Sequence, residues 1–155
     1  MPETLVLIPG LLCDATVWSP VAQLLGHGIV ADVSGEATIF EMAATALAEH
    51  AGPLAVAGHS MGARVAMEMW RQAPDRITRL ALLNTGLDPA AEAEKPNRLR
   101  RIALAHERGM EALCDDWLPP MVWEGRHGDA SVMAPLRAMV LSKSEERGSL
   151  ISLAR

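Results

Sequence analysis

Tyrosine is absent from the 155 residues, phenylalanine occurs once and tryptophan four times. With aromatics at 3%, the interior has to be aliphatic, built from Leu, Ile, Val, Ala and nine Met, as suits helices packed on a parallel sheet. Cysteine is scarce as well. Cys13 and Cys114 are too few for a disulfide framework and lack the paired spacing of a zinc site. No apolar run reaches the roughly 18 residues that a membrane span needs. The N-terminal MPETLVLIPG has no basic region ahead of its short apolar stretch, so it does not read as a secretory signal. A reducing, cytoplasmic location is the expectation. Positive charge is also in deficit: the net charge is −5, which argues against nucleic acid or an anionic membrane as the main partner. What is present is a chain 50% hydrophobic and 21% charged, enough apolar material for a core and too much for intrinsic disorder. Its length fits one domain with at most a small appendage.

Four continuous apolar runs read as strands buried on both faces: Thr4–Ile8, Gly28–Ala31, Leu54–Ala57 and Leu80–Leu83. Helical periodicity fills the gaps between them, over Val17–Leu25, Thr38–His50 and Met61–Gln72, with Pro74 where the third should stop. Alternation at this spacing implies βαβ units and a parallel sheet with right-handed crossovers. After Asn84 the pattern changes. Pro89–Pro96 is a polar, Ala-rich connection, followed only by helical signals at Asn97–Arg108, Met110–Trp117, about Ser131–Lys143, and from Glu145 onward. The expected architecture is α/β: a parallel sheet of about four strands with flanking helices over residues 1–88, and a helical cap or lid segment over 89–155. The run SLISLAR carries no helix stop signal, so the helix is expected to continue at the end of the sequence and the domain to be incomplete.

The chemistry concentrates at Gly58-His59-Ser60-Met61-Gly62. A bare Gly-x-Ser-x-Gly arises by chance in about 5% of chains this long, from ordinary Gly and Ser usage. Its position after a buried strand and before an amphipathic helix is the context that gives the motif meaning. A nucleophile on a sharp strand-to-helix turn needs neighbours without bulk two residues away on each side, which Gly58 and Gly62 supply. Ser60 is then offered at the carboxyl edge of the sheet, where open α/β folds bind ligands. The Met61 amide at the helix N-terminus would face a developing oxyanion. The Leu11 amide, turned by Gly10 after the first strand, is the candidate second donor. The plainer alternatives are an ordinary Pro9-Gly10 turn and Ser60 as a helix N-cap.

The stretches LVLIPGLLCDATVW, AVAGHSMG and APDRITRLALLNTG resemble the α/β-hydrolase superfamily, closest to its esterase, enol-lactonase and thioester-hydrolase members. The resemblance covers residues 4 to about 88, with the remainder similar to a cap region. It implies Ser60 as nucleophile, oxyanion amides at Leu11 and Met61, and Trp18 packed behind the oxyanion loop. It also implies an acid and a histidine, in that chain order after the serine, usually following two further strands. Neither of those strands is visible here.

Asp88 is the candidate acid, because some relatives place theirs after the strand that ends near Asn84. As Asp88-Pro89 it equally begins a turn. Among the histidines, His59 flanks Ser60 and reads as a pocket-shaping residue. His27 and His50 precede strands at the wrong edge, and His106 and His127 lie in the helical remainder. Trp117 and Trp123 could line an apolar substrate pocket or pack as core. Asp115-Asp116 and the cluster Lys95, Arg98, Arg100, Arg101 read as solvated helix surface.

No cofactor and no metal is implied. The expectation is a serine hydrolase acting on a small carboxylic ester, lactone or thioester through an acyl-enzyme. The alternative is a truncated, weak or inactive fragment serving as a binding or oligomerising module. On either reading, the last strand leaves an apolar sheet edge through which the chain could self-associate.

Overall fold

A computed structural model of the chain describes residues 2–86 and 95–143, arranged in two compact units, Met1–Leu87 and Asp88–Arg155. In the first unit, strands β1 (Thr4–Ile8), β2 (Ile29–Val30), β3 (Leu54–His59) and β4 (Ile77–Leu83) alternate with helices α1 (Ala15–Leu25), α2 (Ile39–Glu49) and α3 (Met61–Gln72). The sheet is parallel throughout, in the order β2-β1-β3-β4. The chain moves outward from β1 to β2, then crosses back over β1 to β3. With right-handed crossovers, that reversal sends α1 to one face and α2 and α3 to the other. The point of reversal, between the carboxyl ends of β1 and β3, is where such sheets open a crevice.

Local chemistry explains the element ends. Asp14 caps α1 by accepting from the Thr16 amide at 2.9 Å, and Gly26 closes that helix at φ 70°. Thr38 and Glu41 form a reciprocal capping box at the start of α2. The core lies between the sheet and the α2/α3 layer. Val6, Ile8, Leu54 and Val56 project from the strands onto Met42, Ala43 and Ala46 of α2 and Val65, Ala66 and Met69 of α3. The three alanines, Ala43, Ala46 and Ala66, let two helices sit close to the sheet, and Met69 fills the remaining space with no exposure at all. β4 is the exception to burial. Although its sequence is that of an inner strand, every residue after Ile77 is exposed.

The second unit contains α4 (Lys95–Trp117) and α5 (Ala130–Leu141), joined through two short 3-10 turns at Pro119–Met121 and Glu124–Arg126. Gly109 breaks α4 with φ 80° and ψ 176°, a conformation open essentially to glycine alone. The two helical stretches expected at Asn97–Arg108 and Met110–Trp117 are therefore the two arms of this kinked helix. Asp116 on the second arm accepts from Arg100 at 2.8 Å and Arg101 at 2.9 Å on the first. Asp115 pairs with Arg137 of α5. Asp116 with Arg100 and Arg101 is thus a clasp across the bend, while Asp115 with Arg137 ties the second arm to α5. The segment from Glu145 lies outside the described residues, as does most of the Pro89–Pro96 connection.

Candidate active site

Ser60 joins β3 to α3 at φ 55° and ψ −118°, a backbone conformation that a residue with a side chain rarely holds. Two close approaches enforce it. A Cβ on Gly58 would lie 2.2 Å from the Gly62 carbonyl oxygen, and a Cβ on Gly62 would lie 2.2 Å from the carbonyl oxygen of Ile8. Neither space admits a methyl group. The Ser60 amide is anchored by donating to the Leu83 carbonyl at the end of β4, 2.9 Å away. Although Ser60 occupies the N-cap position of α3, its side chain makes no capping hydrogen bond. The N-cap alternative therefore accounts for its position but not for its hydroxyl.

The start of α3 is electrostatically bare. No acidic residue stands in its first turn, so its positive end faces the Ser60 side of the turn uncompensated. The loop after β1 arrives at the same place. A Cβ on Gly10 would lie 3.1 Å from His59 Nδ1 and 3.2 Å from Ser60 Cβ, which puts Gly10 against the turn. Gly10 to Cys13 forms a tight turn closed by the Cys13 amide on the Gly10 carbonyl at 3.1 Å, a bond that leaves the Leu11 amide out of the turn's own pairing. The structure thus brings together Gly10, His59, Ser60 and Met61, with Leu11 in the adjoining turn.

Leu12 is a residue that the sequence did not single out. It is buried and holds φ 59°, a genuine outlier for a branched side chain. Leucine has no preference for that conformation, so no propensity signal could have found it. The buried side chain and the neighbouring close packing hold the turn in place. Asn84, just past β4, also adopts positive φ (53°), which its side chain tolerates better.

His59 is half-buried, and its Nδ1 is sealed from solvent with no hydrogen-bond partner among the described residues. Burial pushes its pKa below the ordinary histidine value, so the ring is neutral at pH 7. His27 and His50 sit ahead of β2 and β3, at the opposite edge of the sheet from Ser60; His27 is engaged with the Leu25 carbonyl. In the second unit, the His127 Nε2–H donates to the carbonyls of Pro119 and Val122, at 3.0 and 2.9 Å, and braces the 3-10 turns. Among the described residues no carboxylate or imidazole is hydrogen-bonded to the Ser60 hydroxyl. Asp88 lies outside them.

Of the two tryptophans, Trp117 is buried whereas Trp123 is 74% exposed. A recess of about 470 Å³ in that unit is lined by Cys114, Leu118, Met133 and Arg137 among others, and by neither tryptophan. Trp18 is buried in the first unit with its indole N–H unpartnered among the described residues. No cluster of three or more His, Cys, Asp or Glu suited to a metal ion occurs among the described residues, and no described helix is long and apolar enough to cross a membrane.

No described protein family matches the chain by sequence, and no curated protein does. Solved structures do. A thermophilic esterase from Thermogutta terrifontis superposes over 100% of the chain with a TM-score of 0.81 at 24% identity. The chain has the α/β-hydrolase fold. The same hydrolase fold is found at a TM-score of 0.79 and 23% identity in the enol-lactonase from Burkholderia xenovorans LB400, over 99% of the chain. A carboxylesterase from the ammonia-oxidizing thaumarchaeon Nitrososphaera gargenis gives 0.76 at 21% identity over 98%. The chain spans 64%, 65% and 64% of those three proteins, less than two thirds of the length of each.

Proposed function

We propose that this chain carries the nucleophile half of a serine hydrolase acting on a small carboxylic ester, lactone or thioester. The observation that carries the reading is the backbone of Ser60, held at φ 55° between two glycines that admit no side chain, with its hydroxyl unspent on capping. Strain of this kind, worth about 1–3 kcal/mol, persists only where the surrounding structure enforces it, and it clusters at active sites. Fold likeness to an esterase, a carboxylesterase and an enol-lactonase supports the same reaction class.

In this mechanism Ser60 Oγ adds to the acyl carbonyl and its proton passes to a base. The carbonyl oxygen becomes an oxyanion, held by the Met61 and Leu11 amides and the N-terminal end of α3. Collapse expels the alcohol, enol or thiol, which takes a proton, and water then cleaves the acyl-enzyme to release the acid and restore Ser60. Asp88 is the proposed acid, and His59 shapes the pocket wall as a neutral ring beside the oxyanion loop.

A second reading, a binding or oligomerising module without turnover, is favoured by one observation: no titratable partner for the Ser60 hydroxyl among the described residues. A fluorophosphonate probe separates the two, because it labels only an activated serine. Labelling and hydrolysis of p-nitrophenyl acetate by the chain, both abolished in Ser60→Ala, are expected. Absence of labelling, or equal turnover by Ser60→Ala, overturns the hydrolase reading.

A further inference from the structure

Ser60 is not the only strained residue at the elbow. The Gly10–Cys13 turn, closed by the Cys13 amide on the Gly10 carbonyl, has a positive φ at its third residue, Leu12 (59°), and not at its second, Leu11. That is the signature of a type II turn, whose third position favours glycine or asparagine. A type I turn makes the same closing hydrogen bond and accepts leucine without strain. The two differ in the peptide between Leu11 and Leu12, which is turned over in one relative to the other. The bonding of the turn does not select type II. Among the described residues neither the Leu11 carbonyl nor the Leu12 N–H has a hydrogen-bond partner. The Leu12 side chain is 2% exposed, so packing holds the strain in place. The turn also touches the nucleophile: a Cβ on Gly10 would lie 3.2 Å from Ser60 Cβ and 3.2 Å from the His59 carbonyl oxygen.

We propose that Leu12 is the positioning residue of this turn: its strained backbone keeps the Leu12 N–H, and not the Leu11 carbonyl, on the side facing Ser60. The proposal rests on the hydrolase reading and deepens it. A site that receives a developing oxyanion needs its donors fixed in advance, because donors that turn during the reaction add a reorganisation cost. In the relaxed type I turn the dipole of the Leu11–Leu12 peptide is reversed. A carbonyl oxygen then stands where an oxyanion would form, and it repels the charge that the Leu11 and Met61 amides attract. The buried Leu12 side chain is the anchor, and the effect on the site passes through the backbone. The steric demand is specific to this position. Glycine takes positive φ freely, an unbranched side chain takes it with strain, and a side chain branched at Cβ resists it most.

Leu12→Gly and Leu12→Val separate positioning from packing, because the two roles predict opposite orders. Glycine leaves a cavity, so the melting temperature is expected to fall further in Leu12→Gly than in Leu12→Val. The rate of fluorophosphonate labelling at Ser60 is expected to run the other way, about tenfold faster in Leu12→Gly than in Leu12→Val. That ratio follows from the population cost of the left-handed conformation for a residue with a side chain. Leu12→Met, apolar and unbranched at Cβ, covers the case in which Leu12→Gly does not fold: it is expected to label faster than Leu12→Val at a similar melting temperature. Proton NMR reads the turn without any activity. The parent and Leu12→Met are expected to show the close Leu11 Hα to residue 12 N–H approach of a type II turn, and Leu12→Val to lose it. Labelling rates that follow the melting temperatures, a Leu12→Val that keeps the type II approach, or one that labels as fast as Leu12→Met each overturn the proposal and leave the hydrolase reading standing. A parent chain that does not label at all overturns both.

Discussion

At Gly58 an added methyl carbon would lie 2.2 Å from the Gly62 carbonyl oxygen, and at Gly62 it would lie 2.2 and 2.4 Å from the carbonyls of Ile8 and Pro9. The atoms in the way are backbone, which cannot swing aside as a side-chain tip can. Gly58→Ala and Gly62→Ala are therefore expected to destabilise the first unit by about 3 kcal/mol or more, since the elbow or the β1–α3 contact must open to accept them. Gly35 supplies the control. Nothing lies within 4 Å of a Cβ placed there and its φ is ordinary, so Gly35→Ala is expected to fall within about 0.5 kcal/mol of the parent. Urea midpoints of the three variants check this; equal midpoints would show that the elbow glycines are incidental. This was legible in the sequence, because Gly-x-Ser-x-Gly after an apolar run states a steric requirement in residue types. The strained Leu12 was not legible: its conformation is imposed by burial and by the turn around it, and leucine carries no local signal for positive φ.

The elements repeat that division. Thr4–Ile8 and Met61–Gln72 were readable to the residue because apolar runs and a helix start and stop announce them. β3 and β4 extend beyond their apolar stretches, through Gly58-His59 and back through Ile77-Thr78-Arg79, because hydrogen-bond pairing, not hydrophobicity, sets where a strand ends. Gly109 was legible only as a gap between two helical periods, whereas the clasp closing that gap requires three-dimensional proximity between residues 15 and 16 apart. That clasp has a pH signature. Hydrogen bonds from Arg100 and Arg101 hold the Asp116 carboxyl at a pKa of about 2, below the ordinary 3.8. A depressed carboxylate binds fewer protons folded than unfolded, so its contribution is fully present above the unfolded value and is lost as the pH falls from about 4 through about 2. The Arg100 side chain is half exposed, and solvent screening keeps the contribution near or below about 1 kcal/mol. The melting temperature of Asp116→Asn is expected to lie below that of the parent at pH 6 and to converge on it near pH 2. A constant difference across that range would assign the clasp no ionic role.

For the whole molecule, the excess of acidic residues acts on the same surface that β4 leaves bare. The net charge of −5 at neutral pH keeps copies apart, and that repulsion vanishes near the sequence isoelectric point of about 5.5. Leu24 at 89% exposure, Ile29 at 48% and the β4 leucines then face solvent without electrostatic protection. Soluble protein after centrifugation is expected to pass through a minimum between about pH 5 and 6 and to recover at pH 7.5. The cause is separable into charge and edge. Exposed side chains scattered on α1 can only collide without register, whereas the β4 edge offers aligned donors and acceptors that template further strands. Leu82→Lys changes the formal charge by one unit, a small shift of the isoelectric point, but places an ammonium where an incoming strand would have to desolvate it. It is therefore expected to raise the solubility minimum much more than a control lysine at Leu24, which makes the same change in charge on α1. Equal rescue by the two variants would mean that charge alone governs solubility and that the β4 edge is not the adhesive surface.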